Sequence, residues 1–328
     1  MVTYSPASLL TGSPASPPAL AQCGCGAYER RMTAQDGVLR GRVAVVTGSS
    51  RGLGFAMARV LGHAGATVLL ASRSDDDVAA AVERLRADGI TASGRRCDTG
   101  ELADVEVLRD EALRLGTLDI WVNNAGTSGV FGPTASTPVD DFTRVVRTNI
   151  LGTFHGSRVA LPVFLDQGHG DLVNVYGQGD QGPVALQNAY ASSKRWVCQF
   201  TETLRLETRS TGVRVHGMNP GLVTTDMLGH ITSQPGYEHG LGALQIVVGL
   251  WGQGPDAAAR PLLDLVTSDT AAFRYLTKRT MVTRGVRNVL AGRLRRANRM
   301  PLDITVLADH SMEDPGIKDH GIKDHHVE

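Results

Sequence analysis

The sequence predicts an α/β fold, in which a doubly wound and mainly parallel sheet carries helices on both faces within a single domain. Short apolar runs typical of buried strands alternate with longer segments of helical apolar spacing. Glycine-rich turns join them, and the chain holds 38 glycines. Polar residues directly follow several runs, as they do where ligands bind beyond the carboxyl ends of parallel strands.

The first apolar run, from Arg42 to Thr47, leads into a turn with the spacing G-x-x-x-G-x-G and then into a helical segment that begins near Phe55. Glycine lets a backbone turn sharply and approach a diphosphate, which a helix N-terminus attracts. A plain loop is the alternative, but the setting between strand and helix favours a dinucleotide site. The candidate residues of this turn are Gly48, Ser50, Arg51, Gly52, Leu53 and Gly54.

The second apolar run, from Ala66 to Ala71, is followed by Ser72 and Arg73. An acidic residue at this point would bind the ribose hydroxyls of NAD(H), whereas a cation suits the 2′-phosphate of NADP(H). Arg51 in the glycine turn would add a second cation. Each arginine alone could be a solvated surface charge, but together they favour NADP(H), with NAD(H) still possible.

Two further runs end in polar residues. Residues 90–97 predict a third strand that ends at Asp98, and residues 118–122 predict a fourth that is followed by Asn123 and Asn124. Because the carboxyl ends of parallel strands share one edge of a sheet, we expect these residues to lie beside the glycine turn.

Tyr190 and Lys194 are four residues apart with no helix breaker between them. On a helix this spacing places both side chains on one face, one turn apart. A nearby ammonium favours the phenolate and lowers the pKa of a phenol from its usual ~10. Tyr190 could then exchange a proton with a substrate oxygen.

Taken together, these segments resemble the short-chain dehydrogenase/reductase family, and they occur in its order and at its usual spacings over about residues 38–270. The resemblance implies a Rossmann-like fold and an NAD(P)-dependent oxidoreductase that interconverts a carbonyl and a secondary alcohol. The segments that carry it are residues 47–54, residues 123–126, Asn149 within residues 147–152, residues 190–194 and residues 219–225.

The resemblance also implies roles for individual residues. Tyr190 would donate or accept the proton, Lys194 would bind the nicotinamide ribose and lower the pKa of Tyr190, and Asn149 would hold a water that links Lys194 to solvent. Asp98 would reach the adenine. The other implied cofactor contacts are Asn124, Ala125 and Gly126 beside the adenosine ribose, and Gly221, Val223 and Thr224 beside the nicotinamide.

One position departs from the family pattern. Family members usually place a substrate-binding serine thirteen residues before the tyrosine, where this chain has Gly177. Amide donors from Gly177, Gln178, Gly179 or Gln181 could replace the hydroxyl, whereas an ionised Asp180 can only accept. Of these, we take Gly177 and Gln178 as the candidate substrate-binding residues.

The glycine at position 177 leaves three interpretations open: a reductase with an altered oxyanion site, another reaction on a bound nicotinamide, or a cofactor-binding protein with a sensing or scaffold role. The joint presence of Asn149, Tyr190 and Lys194 favours catalysis.

The chain divides into four predicted regions. Residues 1–36 form a disordered Ser/Pro/Ala-rich extension, within which we expect Met32 to be the natural start. Residues 37–270 form the catalytic domain, and its segment 225–251 would cover the substrate. Residues 271–309 form a helical extension, for which a surface helix or subunit contact is favoured over membrane docking, and residues 310–328 a disordered tail.

Composition narrows the partners. Lys+Arg and Asp+Glu balance at 33 each, so nothing suggests a nucleic acid. No apolar run reaches the ~20 residues of a membrane span, so stable membrane insertion is not expected. Four cysteines without a C-x-x-C pair favour a reducing, cytoplasmic setting, and no metal site is expected. The expected partner is a small carbonyl or alcohol substrate, and the resemblance implies a homodimer or homotetramer.

Overall fold

The structure, a computed structural model, describes residues 37–290 and 303–307. A parallel sheet of seven strands forms its centre, and a separate parallel pair, β7 and β9, lies outside it. The strands are β1 (Val43–Thr47), β2 (Thr67–Ser72), β3 (Ala92–Arg96), β4 (Leu118–Asn123), β5 (Gly170–Val175), β6 (Val213–Asn219), β7 (His230–Ser233), β8 (Ala272–Arg274) and β9 (Asp303–Val306).

Helices connect the strands and cover the sheet. Short 3-10 helices lie at Thr134–Ser136 and Glu238–Leu241, and a π-helix at Val146–Leu151. The α-helices are α1 (Gly52–His63), α2 (Asp75–Ala87), α3 (Leu102–Leu115), α4 (Val139–Val145), α5 (Gly152–Gln167), α6 (Asn188–Thr208), α7 (Asp226–Gly229), α8 (Leu244–Trp251), α9 (Pro255–Ala259), α10 (Pro261–Thr267) and α11 (Lys278–Leu290).

Alternation along β1 explains the two layers of helices. Ala44 and Val46 join a core cluster with α1, α2 and α10, whereas Val43 and Val45 join a second cluster with α3, α5 and α6. Successive side chains of a strand point to opposite faces, so a fully apolar strand needs cover on both. The predicted α/β fold with a parallel sheet between helices is confirmed.

The strand order of the sheet is β3-β2-β1-β4-β5-β6-β8. Successive strands are added in one direction from β1 to β3 and in the opposite direction from β4 to β8, so the order of addition reverses between β1 and β4. In open α/β sheets the crevice beyond the carboxyl ends of the strands at such a reversal is the usual ligand site. The glycine turn follows β1, and Asn124 follows β4, so both predicted cofactor segments reach this crevice.

The sheet continues past residue 270, because β8 pairs with β6 through Gly217 and Ala272. β3 is shorter than the predicted 90–97 run. The predicted regions 1–36 and 310–328, and Met32 with them, lie outside the described residues. Within the described ranges, no helix combines the length and the apolar character that crossing a bilayer requires.

Candidate active site

The turn after β1 requires glycine at two positions for lack of space. A Cβ on Gly54 would lie 2.3 Å from the carbonyl oxygen of Gly48, and a Cβ on Gly48 would lie 2.8 Å from the Cα of Ala125. Gly48 and Gly52 also have positive φ values of 63° and 59°. The backbone segments of this turn therefore approach their neighbours more closely than a side chain would allow.

This turn fits a diphosphate. Helix α1 begins at Gly52, and the Arg51 side chain does not cap it. The first N–H groups of a helix lack intrahelical partners and attract anions. Ser50 and Leu53 are half-buried in the same turn. A dinucleotide site needs a tight glycine turn next to an uncapped helix N-terminus, and this segment has both.

Asn124 fastens this turn to the end of β4. Its Nδ2 donates to the carbonyl oxygens of Thr47 at 2.9 Å and Gly48 at 3.0 Å. The backbone N–H groups of Asn124 and Ala125 both donate to the Thr47 hydroxyl at 3.1 Å. Asn124 thus fixes the shape of the cradle with its amide, which makes it a positioning residue for the turn.

Arg73 and Asp98 lie on a common cavity of about 330 Å³, which Arg144, Arg147 and Thr148 also line. Arg73 is exposed just beyond β2, and the Asp98 carboxylate accepts the N–H of Gly100 at 3.0 Å. The structure therefore brings these two predicted adenosine contacts together.

Arg51 is placed differently from Arg73. Its side chain is largely exposed and its Nε lies 3.5 Å from the carboxylate of Asp226 in α7. The two predicted phosphate-binding arginines therefore differ in surroundings: Arg73 lines the cavity, whereas Arg51 pairs with Asp226 in the segment predicted to cover the substrate.

Tyr190, Lys194 and Asn149 meet beyond the ends of β4 and β5. Lys194 Nζ lies 5.8 Å from the centre of the Tyr190 ring and donates to the carbonyl oxygen of Val175 at 3.0 Å. Asn149, in the π-helix, donates to the hydroxyl of Ser193 at 2.9 Å and accepts from the N–H of Thr127 at 2.9 Å. Its buried side chain thereby ties α6 to the loop after β4.

The pKa of Tyr190 corrects one expectation from the sequence. Burial, and to a smaller extent the Asp180 carboxylate, raises the pKa of Tyr190 to about 12. Burial also lowers the pKa of Lys194 to about 8, which Asp180 partly offsets. The sequence predicted a lowered pKa for Tyr190, whereas in this structure the pKa is raised, because the loss of water around the phenol penalises the charged phenolate.

Gly177 lies directly against the phenol. A Cβ on Gly177 would lie 2.4 Å from the Tyr190 hydroxyl oxygen and 3.2 Å from Lys194 Cγ. Gln178 is exposed, whereas Gly177, Gly179 and Asp180 are buried. Of the two predicted substrate-binding residues, Gly177 is therefore at the phenol and Gln178 faces outward.

The segment after β6 is held by residues that sequence reasoning missed. Gly221 has a φ of 74°, and a Cβ there would lie 2.6 Å from Tyr275 Cδ1. The N–H of Thr224 donates to the carbonyl oxygen of Gln253 at 2.9 Å, and Val223 forms a bridge with the same residue. These predicted nicotinamide contacts thus depend on the chain well beyond them.

The segment predicted to cover the substrate makes a further contact that the sequence did not predict. The N–H of Phe131 donates to the carbonyl oxygen of Thr232 at 2.8 Å, which places the loop after β4 against β7. β9 pairs with the other edge of β7, so residues 303–306 lie beside the segment predicted to cover the substrate. Within the described residues, no group of three or more His, Cys, Asp or Glu side chains could hold a metal ion.

A model of the short chain dehydrogenase family matches residues 42–236, which include the glycine turn, Asn149, Tyr190 and Lys194. The chain belongs to the short-chain dehydrogenase/reductase family. The predictions of the family and of an NAD(P)-dependent oxidoreductase are thereby confirmed.

Relatives of this short-chain dehydrogenase/reductase agree with that assignment. This chain is 38% identical over 192 residues to the chloroplastic chlorophyll(ide) b reductase NOL of Arabidopsis thaliana. The match covers 56% of this chain and 55% of that protein. This chain therefore spans little more than half of that relative. It is 36% identical over 188 residues to a putative ketoacyl reductase of Streptomyces coelicolor, covering 56% of this chain and 72% of that protein.

A solved structure extends the likeness to three dimensions. The crystal structure of an actinorhodin polyketide ketoreductase variant with NADPH is 30% identical, with a TM-score of 0.64, and the match covers 71% of this chain and 93% of that one. The two proteins therefore share this fold over most of the length of the ketoreductase.

Proposed function

We propose that this protein is an NADP(H)-dependent oxidoreductase that interconverts a carbonyl and a secondary alcohol, with Tyr190 as proton donor in reduction and acceptor in oxidation. The observation that carries the proposal is the meeting of Tyr190, Lys194 and Asn149 beside the glycine turn. Hydrogen bonds hold Asn149 and Lys194 in position, and helix α6 carries Tyr190.

The cofactor, when bound, supplies or accepts the hydride. Gly48, Gly52 and Gly54 let the turn fold tightly beside the helix N-terminus that would receive its diphosphate, and Arg73 lines the cavity in which we place the 2′-phosphate. The preference for NADP(H) is further supported by the related ketoreductase, whose crystal structure was solved with NADPH. NAD(H) remains the second cofactor to test.

The chain's own part in the reaction is proton transfer. In reduction, the Tyr190 hydroxyl gives its proton to the substrate oxygen as carbon gains the hydride, so the carbonyl becomes an alcohol and Tyr190 becomes a phenolate. The Lys194 ammonium, held by the carbonyl of Val175, stabilises that phenolate by charge. Asn149 keeps α6 in place through Ser193.

Gly177 makes Tyr190 the main donor to the substrate oxygen in this proposal. The position that offers a hydroxyl in most family members has no side chain, and the phenol itself lies over it. The altered oxyanion site would therefore depend on one hydroxyl where relatives use two.

We also propose a homodimer or homotetramer. Three rings form a partly exposed cluster on α5 and α6: Trp196 stacks on Phe200 with 4.7 Å between ring centres, and Phe154 lies 6.3 Å from Phe200. Phe154 is 40% exposed, and aromatic rings are enriched at subunit interfaces. A reducing, cytoplasmic setting is proposed as well, supported by Cys97 and Cys198, which are buried and free.

A panel of ketones, aldehydes and secondary alcohols tests the function. The loss of NADPH absorbance with a carbonyl, or its gain with an alcohol and NADP⁺, supports the proposal, and calorimetry with each cofactor measures binding separately. Binding of NADPH without turnover of any member would favour the sensing alternative, and binding of neither cofactor would contradict the proposal.

A further inference from the structure

Asp180 is a buried carboxylate for which the proposed reaction has no use. Only 3% of the residue is exposed. Its N–H donates to the carbonyl oxygen of Gly177 at 3.2 Å, and its own carbonyl oxygen accepts from Arg195 of α6 at 2.8 Å. The residue is thus fixed in a tight turn after β5.

Arg274, at the end of β8, is the partner of this carboxylate. Its Nε lies 3.2 Å from Asp180 Oδ2, and the two residues are 94 positions apart. Its guanidinium also lies 5.5 Å from the centre of the Tyr176 ring and donates to Cys198 Sγ at 3.4 Å. A buried carboxylate needs such a partner, because isolated burial of a charge is costly.

The turn that carries Asp180 lies against the first turns of α6. A Cβ on Gly179 would lie 2.5 Å from the Cα of Ala191, and a Cβ on Gly177 would lie 2.4 Å from the Tyr190 hydroxyl. Residues 177–180 therefore pack closely against the part of α6 that bears Tyr190 and Lys194.

Few other charges reach the Lys194 amine. Within the described residues, Tyr190 faces it from α6 and Asp180 from the loop after β5, while β5 offers the Val175 carbonyl. The other titratable groups of this network interact with Asp180 or with one another. They are Tyr176, Arg195, Cys198, Glu202 and Arg274.

We propose that the Asp180–Arg274 ion pair is a positioning pair for the proton-transfer residues: the Asp180 carboxylate holds Lys194 as an ammonium and Tyr190 as a phenol, and Arg274 limits how strongly it does so. The carboxylate favours positive charge on its neighbours and disfavours negative charge, and the guanidinium acts oppositely. The proposed catalytic meaning of this pair depends on the proposed function, but its electrostatic action does not.

The protein contains four lysines, Lys194, Lys278, Lys318 and Lys323, so selective ¹³Cε labelling gives a simple NMR titration of Lys194. Burial lowers the pKa of Lys194 to about 8, which separates its signal from ordinary lysines, and a variant without Lys194 assigns it. The titration uses the full chain and needs neither cofactor nor substrate.

Asp180→Asn is expected to lower the pKa of Lys194, and Arg274→Gln to raise it, each by roughly one pH unit. The two signs are opposite because the first variant removes a negative charge and the second removes a positive one. Arg274→Lys keeps the positive charge and is expected to stay near wild type. If Asp180→Asn does not fold, the proposal is tested by comparing the pKa of Lys194 in Arg274→Gln with that in Arg274→Lys.

The matched control is a second buried pair in the same sheet. Asp171 and Arg214 lie on β5 and β6 at 2.8 Å, and Asp171→Asn or Arg214→Gln is expected to leave the pKa of Lys194 unchanged. If the variants only loosened the structure, water would enter and the pKa of Lys194 would rise in both the Asp180 and the Arg274 variants. That result, or no shift in either, would overturn the proposal, whereas a failed carbonyl panel would contradict only the proposed function.

Discussion

The hydroxyl oxygen of Tyr190 lies 2.4 Å from the point where a Cβ of residue 177 would stand. Gly177 has no positive φ, so only lack of space obstructs a side chain there. The atom that must move is the end of the phenol, which can shift without moving backbone. The glycine therefore determines where the phenol lies more than whether the domain folds.

Gly177→Ala is expected to lower kcat by about 10²-fold, since displacement of a reacting group by ~1 Å has an effect of that order. Gly177→Ser displaces the phenol equally but adds a hydroxyl donor for the substrate oxygen, so its kcat should lie between those of the alanine variant and wild type. Steady-state kinetics and thermal unfolding of both variants measure this, and Tm should change little.

Gly182→Ala in the same loop is the control, because nothing lies within 4 Å of a Cβ there. Wild-type kcat in Gly177→Ala would show that the observed position of the phenol is not required.

Gly54→Ala should damage both the fold and the cradle. Its Cβ would lie 2.3 Å from the Gly48 carbonyl oxygen and 2.5 Å from Asn124 Nδ2, and the backbone atom cannot rotate away. We expect a loss of about 1–3 kcal/mol in the free energy of unfolding, and weaker NADPH binding. Denaturant unfolding and calorimetry measure these, with Gly254→Ala, where nothing lies within 4 Å, as the control. Equal stability and affinity would contradict the described packing.

Arg73→Asp should shift cofactor preference from NADPH toward NADH. A hydrogen bond to a charged group contributes about 1.5–3 kcal/mol, so the ratio of the two dissociation constants should change by roughly 10- to 100-fold. Calorimetry with each cofactor tests this directly. Arg114→Asp, an exposed arginine on α3 paired with Glu111, is the control and should leave the ratio alone. If Arg73→Asp leaves the ratio of the two dissociation constants unchanged, Arg73 does not bind the 2′-phosphate.

Phe154→Asp should weaken subunit association. An aromatic residue central to an interface often contributes 2 kcal/mol or more, and a buried charge adds a further cost, so the dissociation constant should rise by about 30-fold or more. Light scattering over a dilution series measures the mass. Val139→Asp, at a 78% exposed position on α4, is the comparison. A monomeric wild type, or an oligomer that Phe154→Asp does not weaken, would exclude this surface.

Local patterns in the sequence predicted the glycine turn between β1 and α1. The glycines of the turn are required by close backbone approach and positive φ at particular positions, and such requirements remain visible as residue identities. The same holds for the alternation of apolar strands and helices, because each fully buried strand needs cover on both faces.

Features that depend on distant contacts were not predicted. Arg274 meets Asp180 across 94 residues, and β8 adds to the sheet beyond the expected boundary at residue 270. β9 pairs with β7 across 73 residues. Short segments such as these have no periodicity that identifies a partner, and only the folded sheet brings them together.

The direction of the Tyr190 pKa shift illustrates the same limit. The spacing of Tyr190 and Lys194 indicates that the amine lies near the phenol, and in the structure it does, 5.8 Å from the ring centre. Spacing does not show how much water the fold removes or that Asp180 lies nearby, and these raise the pKa of Tyr190.

Tyr190→Phe tests the central claim most directly, because it removes the hydroxyl and keeps the ring. Steady-state turnover of whichever carbonyl the panel identifies should fall by at least about 10²-fold, the usual contribution of a positioned proton donor, while calorimetry shows unchanged NADPH affinity. Turnover within a few-fold of wild type, with NADPH still bound, would contradict the assignment of proton transfer to Tyr190.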